Sequence, residues 1–188
     1  LSSIEIPDEI KISLNKMYNL DFSEKEWFEK IIIQKLDESK LVNIDKSIFQ
    51  IKYISGNKKF VSVKYLKDNL SEDEFNQLKE IKDHIAYFFI KDSNLSDKSL
   101  LNFINLKNLV NLDIQKNSIS DEGVKILQKL ENLEVLNLYG TKISKNSLET
   151  IESFKNLKRV YVWDTKISKK DLENFNRQNT SIELVGGI

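Results

Sequence analysis

His84 is the one histidine in the 188-residue sequence, and there is no cysteine. A Ser-His-Asp relay needs an imidazole held between a hydroxyl and a carboxylate. Only His84 could serve, and it lies where a 24-residue periodicity slips by one residue. A structural or solvent-facing histidine is therefore expected. Without thiols, cysteine nucleophiles, disulfides and cysteine-ligated zinc drop out. Asp92, Asp113 and Asp164 fall near the ends of predicted strands, but in unlike positions, whereas a calcium site needs converging oxygens. No P-loop and no G-x-G-x-x-G occurs. The expectation is a non-enzymatic chain with no cofactor, no haem and no tightly held metal.

Recognition chemistry is better represented. Tyr139, Tyr161 and Trp163 fall at outward positions of two adjacent predicted strands, with Arg159 and Asp164 at the rim. The same positions in other strands hold Asp113, Gln115 and Asn137. Tyr87 and Phe89 form a second aromatic pair nearer the N-terminus. Rings gathered on one face mark binding hot spots, and the expected partner is a protein or a glycan. The contrary expectation is that the rings pack on one another as framework, in a structural or accessory domain with no ligand of its own.

The elements that carry these residues follow from the periodicity. Phe88, Leu112, Leu136 and Val160 are spaced by 24 residues, as are Ile90, Ile114, Leu138 and Val162. Leu95, Ile119, Ile143 and Ile167 form a third column, and Leu100, Val124, Leu148 and Leu172 a fourth. A fixed period of this length marks stacked repeats. Leu136 and Leu138 are two apart, so both point to one face of a short strand. Ser93, Asn117, Thr141 and Thr165 are polar inside the apolar frame, where the chain leaves the strand and its backbone loses ladder partners. Ser96, Ser120, Ser144 and Ser168 precede apolar-periodic segments, as helix N-caps do. Each unit is a strand, a turn and a short helix. Crossovers between consecutive strands make them parallel, and the apolar columns stack into a shared core.

The fold class is thus α/β: parallel strands on a concave face, short helices on a convex face. Residues 60–188 carry about five repeats plus a final strand over Ser181–Val185. Residues 1–59 are the expected N-terminal cap of helix and strand. There Pro7 opens a first helix, and Ser23 with Glu26 caps a second that runs to about Leu36. Ile48–Ile54 and Lys59–Tyr65 read as two strands around a tight connection. The extra residue between the first two repeats is expected near Asp83–His84.

With 29 basic and 29 acidic side chains the formal net charge is zero, so nothing favours nucleic acid or an anionic membrane surface. No apolar run is long enough to span a membrane. The sequence starts at Leu1, which suggests a trimmed form of a longer protein.

The segment Glu131–Phe154, ENLEVLNLYGTKISKNSLETIESF, resembles the leucine-rich repeat pattern. The run LNLYGTKIS, then LKRVYVWDTKIS and the ending SIELVGG, is similar to the C-terminal region of bacterial envelope proteins. In those, threonine-bearing repeats follow a c-type cytochrome or membrane domain. This chain has no C-x-x-C-H motif. The resemblance implies a periplasmic or envelope-associated protein; composition alone assigns no compartment.

Overall fold

The structure, a computed structural model, describes residues 33–54, 56–179 and 181–186. The chain clusters into two compact units, Leu1–Ile33 and Gln34–Ile188; the second is described here. The helices expected at Pro7 and from Ser23 lie outside the described residues, except for the end placed near Leu36. Residues 33–37 are not helical. Buried Leu36 instead donates its N–H to Lys58 O at 3.0 Å, which draws this segment alongside the first hairpin.

Seven strands form one sheet in sequence order. They are β1 (Phe49–Tyr53), β2 (Val61–Tyr65), β3 (Ile85–Phe89), β4 (Asn111–Asp113), β5 (Val135–Asn137), β6 (Arg159–Tyr161) and β7 (Glu183–Val185). β1 and β2 are an antiparallel hairpin with Phe49 opposite Tyr65. From β2 to β7 every pairing is parallel, because a helical crossover returns the chain each time to the same end of the sheet.

The crossovers are short. They hold α1 (Glu72–Asn76), α2 (Asp121–Leu127), α3 (Leu148–Glu152) and α4 (Lys169–Gln178), with 3₁₀ turns at Lys79–His84, Asp97–Asn105 and Lys145–Ser147. Phe88, Leu112, Leu136 and Val160 are fully buried and join one core with Leu100, Val124 and Ile151. No repeat closes over its own leucines. Each lends an apolar wall to the next.

The extra residue is not absorbed near Asp83–His84. Val61 pairs with Ile85 but Ser62 pairs with Tyr87, so Ala86 is the bulged residue, inside β3. The 3₁₀ turn before it is fixed by His84, whose Nδ1 lies 2.8 Å from Lys59 O. With that turn anchored, the slack passes into the strand.

Three polar columns tie neighbouring repeats together. Asn117 Oδ1 accepts from the N–H groups of Ser93 and Leu95 in the preceding repeat, and its Nδ2 donates to Ile90, Ile114 and Gln115 carbonyls. Thr141 and Thr165 occupy the same column, but each hydroxyl bonds only within its own repeat: to Leu138 O and to Val162 O, with Thr165 Oγ1 also accepting the Ile167 N–H.

The serine column does more than cap helices. Ser120 donates its N–H and hydroxyl to Asp97, and Ser144 does the same to Asp121, each across 23 positions. The Ser147 hydroxyl is a third donor to Asp121. A methyl at Gly123 would collide with Asp97 Oδ1, so the Asp97–Ser120 rung crosses α2 only because that position is glycine. Asn108, Asn132 and Asn156 form the last column. Each donates Nδ2 to a carbonyl of the repeat before, at 2.7–2.8 Å.

Burial raises the Asp121 pKa, but the hydrogen bonds from Ser147 and Ser144 outweigh it and hold the carboxyl below its ordinary value. A carboxylate depressed in the folded state contributes stability above its unfolded pKa, about 4. That contribution disappears as pH falls through the folded value. Asp121→Asn should therefore cost about 1–2 kcal/mol at pH 7. Urea melts across pH should show the gap between parent and variant closing below about pH 4. A gap that widens on acidification would contradict this assignment.

The turn after each strand reaches the left-handed region at one column: Asp92, Lys116, Gly140 and Asp164, with φ between 49° and 65°. Glycine takes this conformation without strain, and aspartate tolerates it. At Gly140 a Cβ would also meet Lys116 Cγ at 3.1 Å. Gly140→Ala should lower stability by about 1–2 kcal/mol, read as a drop in thermal midpoint. Asp92→Gly, at an exposed member of the same column, should not lower it.

Candidate functional site

The sheet face turned away from the helices carries the residues in question. Three columns cross it. Tyr87, Asn111, Val135, Arg159 and Glu183 pair in register, as do Phe89, Asp113, Asn137, Tyr161 and Val185. Gln115, Tyr139 and Trp163 extend the ladder one step beyond the strands. Their carbonyls accept from Asp92, Lys116 and Gly140 N–H at 3.1, 2.7 and 2.9 Å.

A polar network occupies the middle of this face. Gln115 Nε2 donates to both oxygens of Asp113, at 3.1 and 2.8 Å, and the Gln115 N–H adds a third bond. Asn137 Nδ2 reaches Asp113 Oδ1 from the next strand, and Asn137 Oδ1 accepts the Tyr139 N–H. Asp113 is 1% exposed and Asn137 fully buried. Asn111 is buried beside them, and neither atom of its amide has a hydrogen-bond partner. From the sequence, Asp113, Gln115 and Asn137 stand only as the polar counterparts of the aromatic positions. The available signal was their adjacency: three carboxamides and a carboxylate at outward positions of two neighbouring strands.

Aromatic rings flank the network on both sides. Tyr87 and Phe89 lie on β3. Tyr139, Tyr161 and Trp163 lie at β5 and β6, with Arg159 and Asp164 beside them. The two groups are separated by β4 and do not form one patch. The expected solvent-accessible trio is corrected in two of its members. Tyr139 is 6% exposed and Tyr161 1% exposed, whereas Trp163 is half-buried.

The columns account for part of that burial. Tyr161 stands between Asn137 and Val185. Tyr139 is flanked by Gln115 and Trp163, and Lys116 Nζ lies 5.5 Å from its ring centroid. Burial pushes both phenol pKa values up. It raises that of Tyr87 as well, with the charge of Glu134 adding to the effect.

Arg159 is half-buried and donates Nε to Glu183 Oε2 at 2.8 Å. Burial alone would lower its pKa, but the Glu183 carboxylate keeps it raised. Asp164 is exposed and is the left-handed turn residue of its repeat. The accessible part of the expected site is thus Trp163, Arg159, Asp164 and Phe89. Trp163 Nε1 is buried without a hydrogen-bond partner.

His84 lies at the first turn, bonded to backbone. Among the described residues no three histidine, aspartate or glutamate side chains converge as metal ligands, and no helix is long and apolar enough to cross a membrane.

The 24-residue strand–turn–helix unit, the stacked core and the inter-repeat asparagine decide the architecture. The chain has a leucine-rich-repeat-like fold. No family model matches the sequence, and no curated protein matches it. Among solved structures it is similar to internalin C2 of Listeria monocytogenes, with 20% identity over 58% of this chain and 54% of that one, at a TM-score of 0.40. It is also similar to the internalin InlF of Listeria monocytogenes, with 17% identity over 70% of this chain and 44% of that one, at a TM-score of 0.44. The chain spans about half the length of the solved structures it matches.

Proposed function

We propose that this chain is a non-catalytic interaction module: a leucine-rich repeat solenoid that takes a protein or glycan partner on its concave sheet face. Trp163 carries the proposal. The residue is half-buried at the end of the aromatic run, the least buried of the three rings there, and its indole N–H is desolvated without an acceptor. A buried donor left unpaired costs about 1–3 kcal/mol, a cost that the fold carries at this ring. Arg159 and Asp164 offer opposite charges beside it, and Phe89 offers a second apolar contact across the polar network. Tyr139 and Tyr161 lie in the same and the neighbouring column of that face.

The envelope setting, within a larger protein, rests on the resemblance of the LKRVYVWDTKIS region. We assign the repeats to residues 60–188, with residues 34–59 completing the first edge of the sheet through β1.

The test begins with the partner recovered from envelope extract on the immobilised chain. Trp163→Ala should weaken that complex by at least ~2 kcal/mol, as hot-spot truncations do, and leave the melting temperature nearly unchanged. A lower melting temperature with binding intact would make the ring framework. The burial of Tyr139 and Tyr161 favours that second reading for those two rings, and with it an accessory domain of a larger redox or membrane protein.

A further inference from the structure

We propose that the outer edge of β1 docks an extended peptide strand in which apolar and acidic residues alternate. This surface lies at the opposite end of the sheet from Trp163.

The backbone provides the first argument. Leu66 N–H donates to Ile48 O at 2.9 Å and Ile54 N–H to Phe60 O at 3.0 Å. Between them Gln50 faces Lys64 and Lys52 faces Ser62. In an antiparallel ladder the N–H and C=O of one residue point the same way, and successive residues alternate. The even-numbered residues of β1 therefore bond inward to β2, while Ile51 and Tyr53 turn both groups outward. Phe49 turns its carbonyl outward too, its N–H being taken by Asp45 O at 2.9 Å. None of the outward groups of Ile51 and Tyr53 has a backbone partner among the described residues. This is the template that strand addition uses.

The side chains provide the second. A groove of about 320 Å³ runs beside the edge, lined by Leu41, Ile44, Phe49 and Ile51, with Leu66 at its lip. Leu66 is 45% exposed and nearby Val42 78%, which is unusual for large apolar residues in this chain. On the other side of the strand stand Lys52 and Lys64, with Lys46 at the groove. All three are exposed, and none makes an ion pair among the described residues. Asp45, next to Lys46, is already engaged by the N–H and hydroxyl of Ser47.

An added strand sends alternate side chains to opposite faces. One set would meet the groove and the other the lysines, so the complementary strand alternates apolar with acidic. Pairing β1 with β1 of a second copy would bring like lysine sets together, which disfavours self-association.

The probe is a fluorescently labelled octapeptide of four valine–glutamate repeats, titrated with the full chain in an anisotropy assay. Saturable binding is expected, at least tenfold tighter than for the valine–lysine analogue and for a block peptide of four valines followed by four glutamates. The double variant Lys52→Glu with Lys64→Glu should weaken binding at least tenfold. Trp163→Ala should leave it unchanged. Two N-methylated probes supply a test that does not depend on altering the protein. One is methylated on every valine nitrogen and the other on every glutamate nitrogen; only one set of N–H groups can face β1, so only one probe should lose binding. The proposal is overturned if the alternating peptide does not bind, if the block peptide binds as tightly, or if both methylated probes behave alike.

Discussion

Asn117→Ala is expected to cost the fold about 3–5 kcal/mol. The side chain is 4% exposed and makes five hydrogen bonds, two as acceptor and three as donor. Alanine would strand the N–H groups of Ser93 and Leu95 in a dry turn, and each buried orphan costs about 1–3 kcal/mol. The three carbonyls lose a donor as well. Asn117→Thr should recover only part of the loss. Thr141 and Thr165 show what a hydroxyl does in that column: it bonds only within its own repeat and leaves the preceding turn unclasped. Urea titration of the three proteins measures the order. If the alanine variant unfolds within about 1 kcal/mol of the parent, the amide is not the clasp described here.

Leu136→Ala should cost ~2–5 kcal/mol, the range for emptying a packed leucine site. Leu136 is fully buried in β5, paired in register with Leu112 on one side and Val160 on the other. The cavity would be shared by three repeats, so the loss should appear as one cooperative transition at a lower midpoint rather than as local fraying. An unchanged melt would mean that the leucine does not fill the core.

The apolar columns made most of this architecture readable in advance. Leu112, Leu136 and Val160 pair as their spacing requires, and Ser181–Val185 does close the sheet, through β7. The reading missed wherever an outcome depended on a partner 23–25 positions away and not on local pattern. Ser120 and Ser144 look like helix caps and do accept the N–H of Glu122 and Asn146. Their stronger ties to Asp97 and Asp121 required asking what stands one repeat earlier. Asn108, Asn132 and Asn156 were a visible column without an assigned role, because a carbonyl acceptor has no sequence signature. The slip is expected near Asp83–His84 and falls at Ala86, because either a turn or a strand can absorb one residue. At the candidate site, position predicted which rings share a face. It could not predict the burial of Tyr139 and Tyr161, which depends on how tightly the flanking columns fill.

The Asp–Ser rungs stop short of the last repeat. One period after Asp97 and Asp121 the acid is replaced by Lys145, and Ser168 turns to Asp171 in its own helix. The junctions at Ser120 and Ser144 carry an aspartate latch on the helix side, whereas the α4 junction has no such latch. A stack coupled neighbour to neighbour opens first where that coupling is thinnest. The expected consequence is directional: amides of α4 and β7 should exchange with solvent before those of the repeats tied through Asp97 and Asp121. Trp163, half-buried, lies in the turn between β6 and α4, at the start of that last segment.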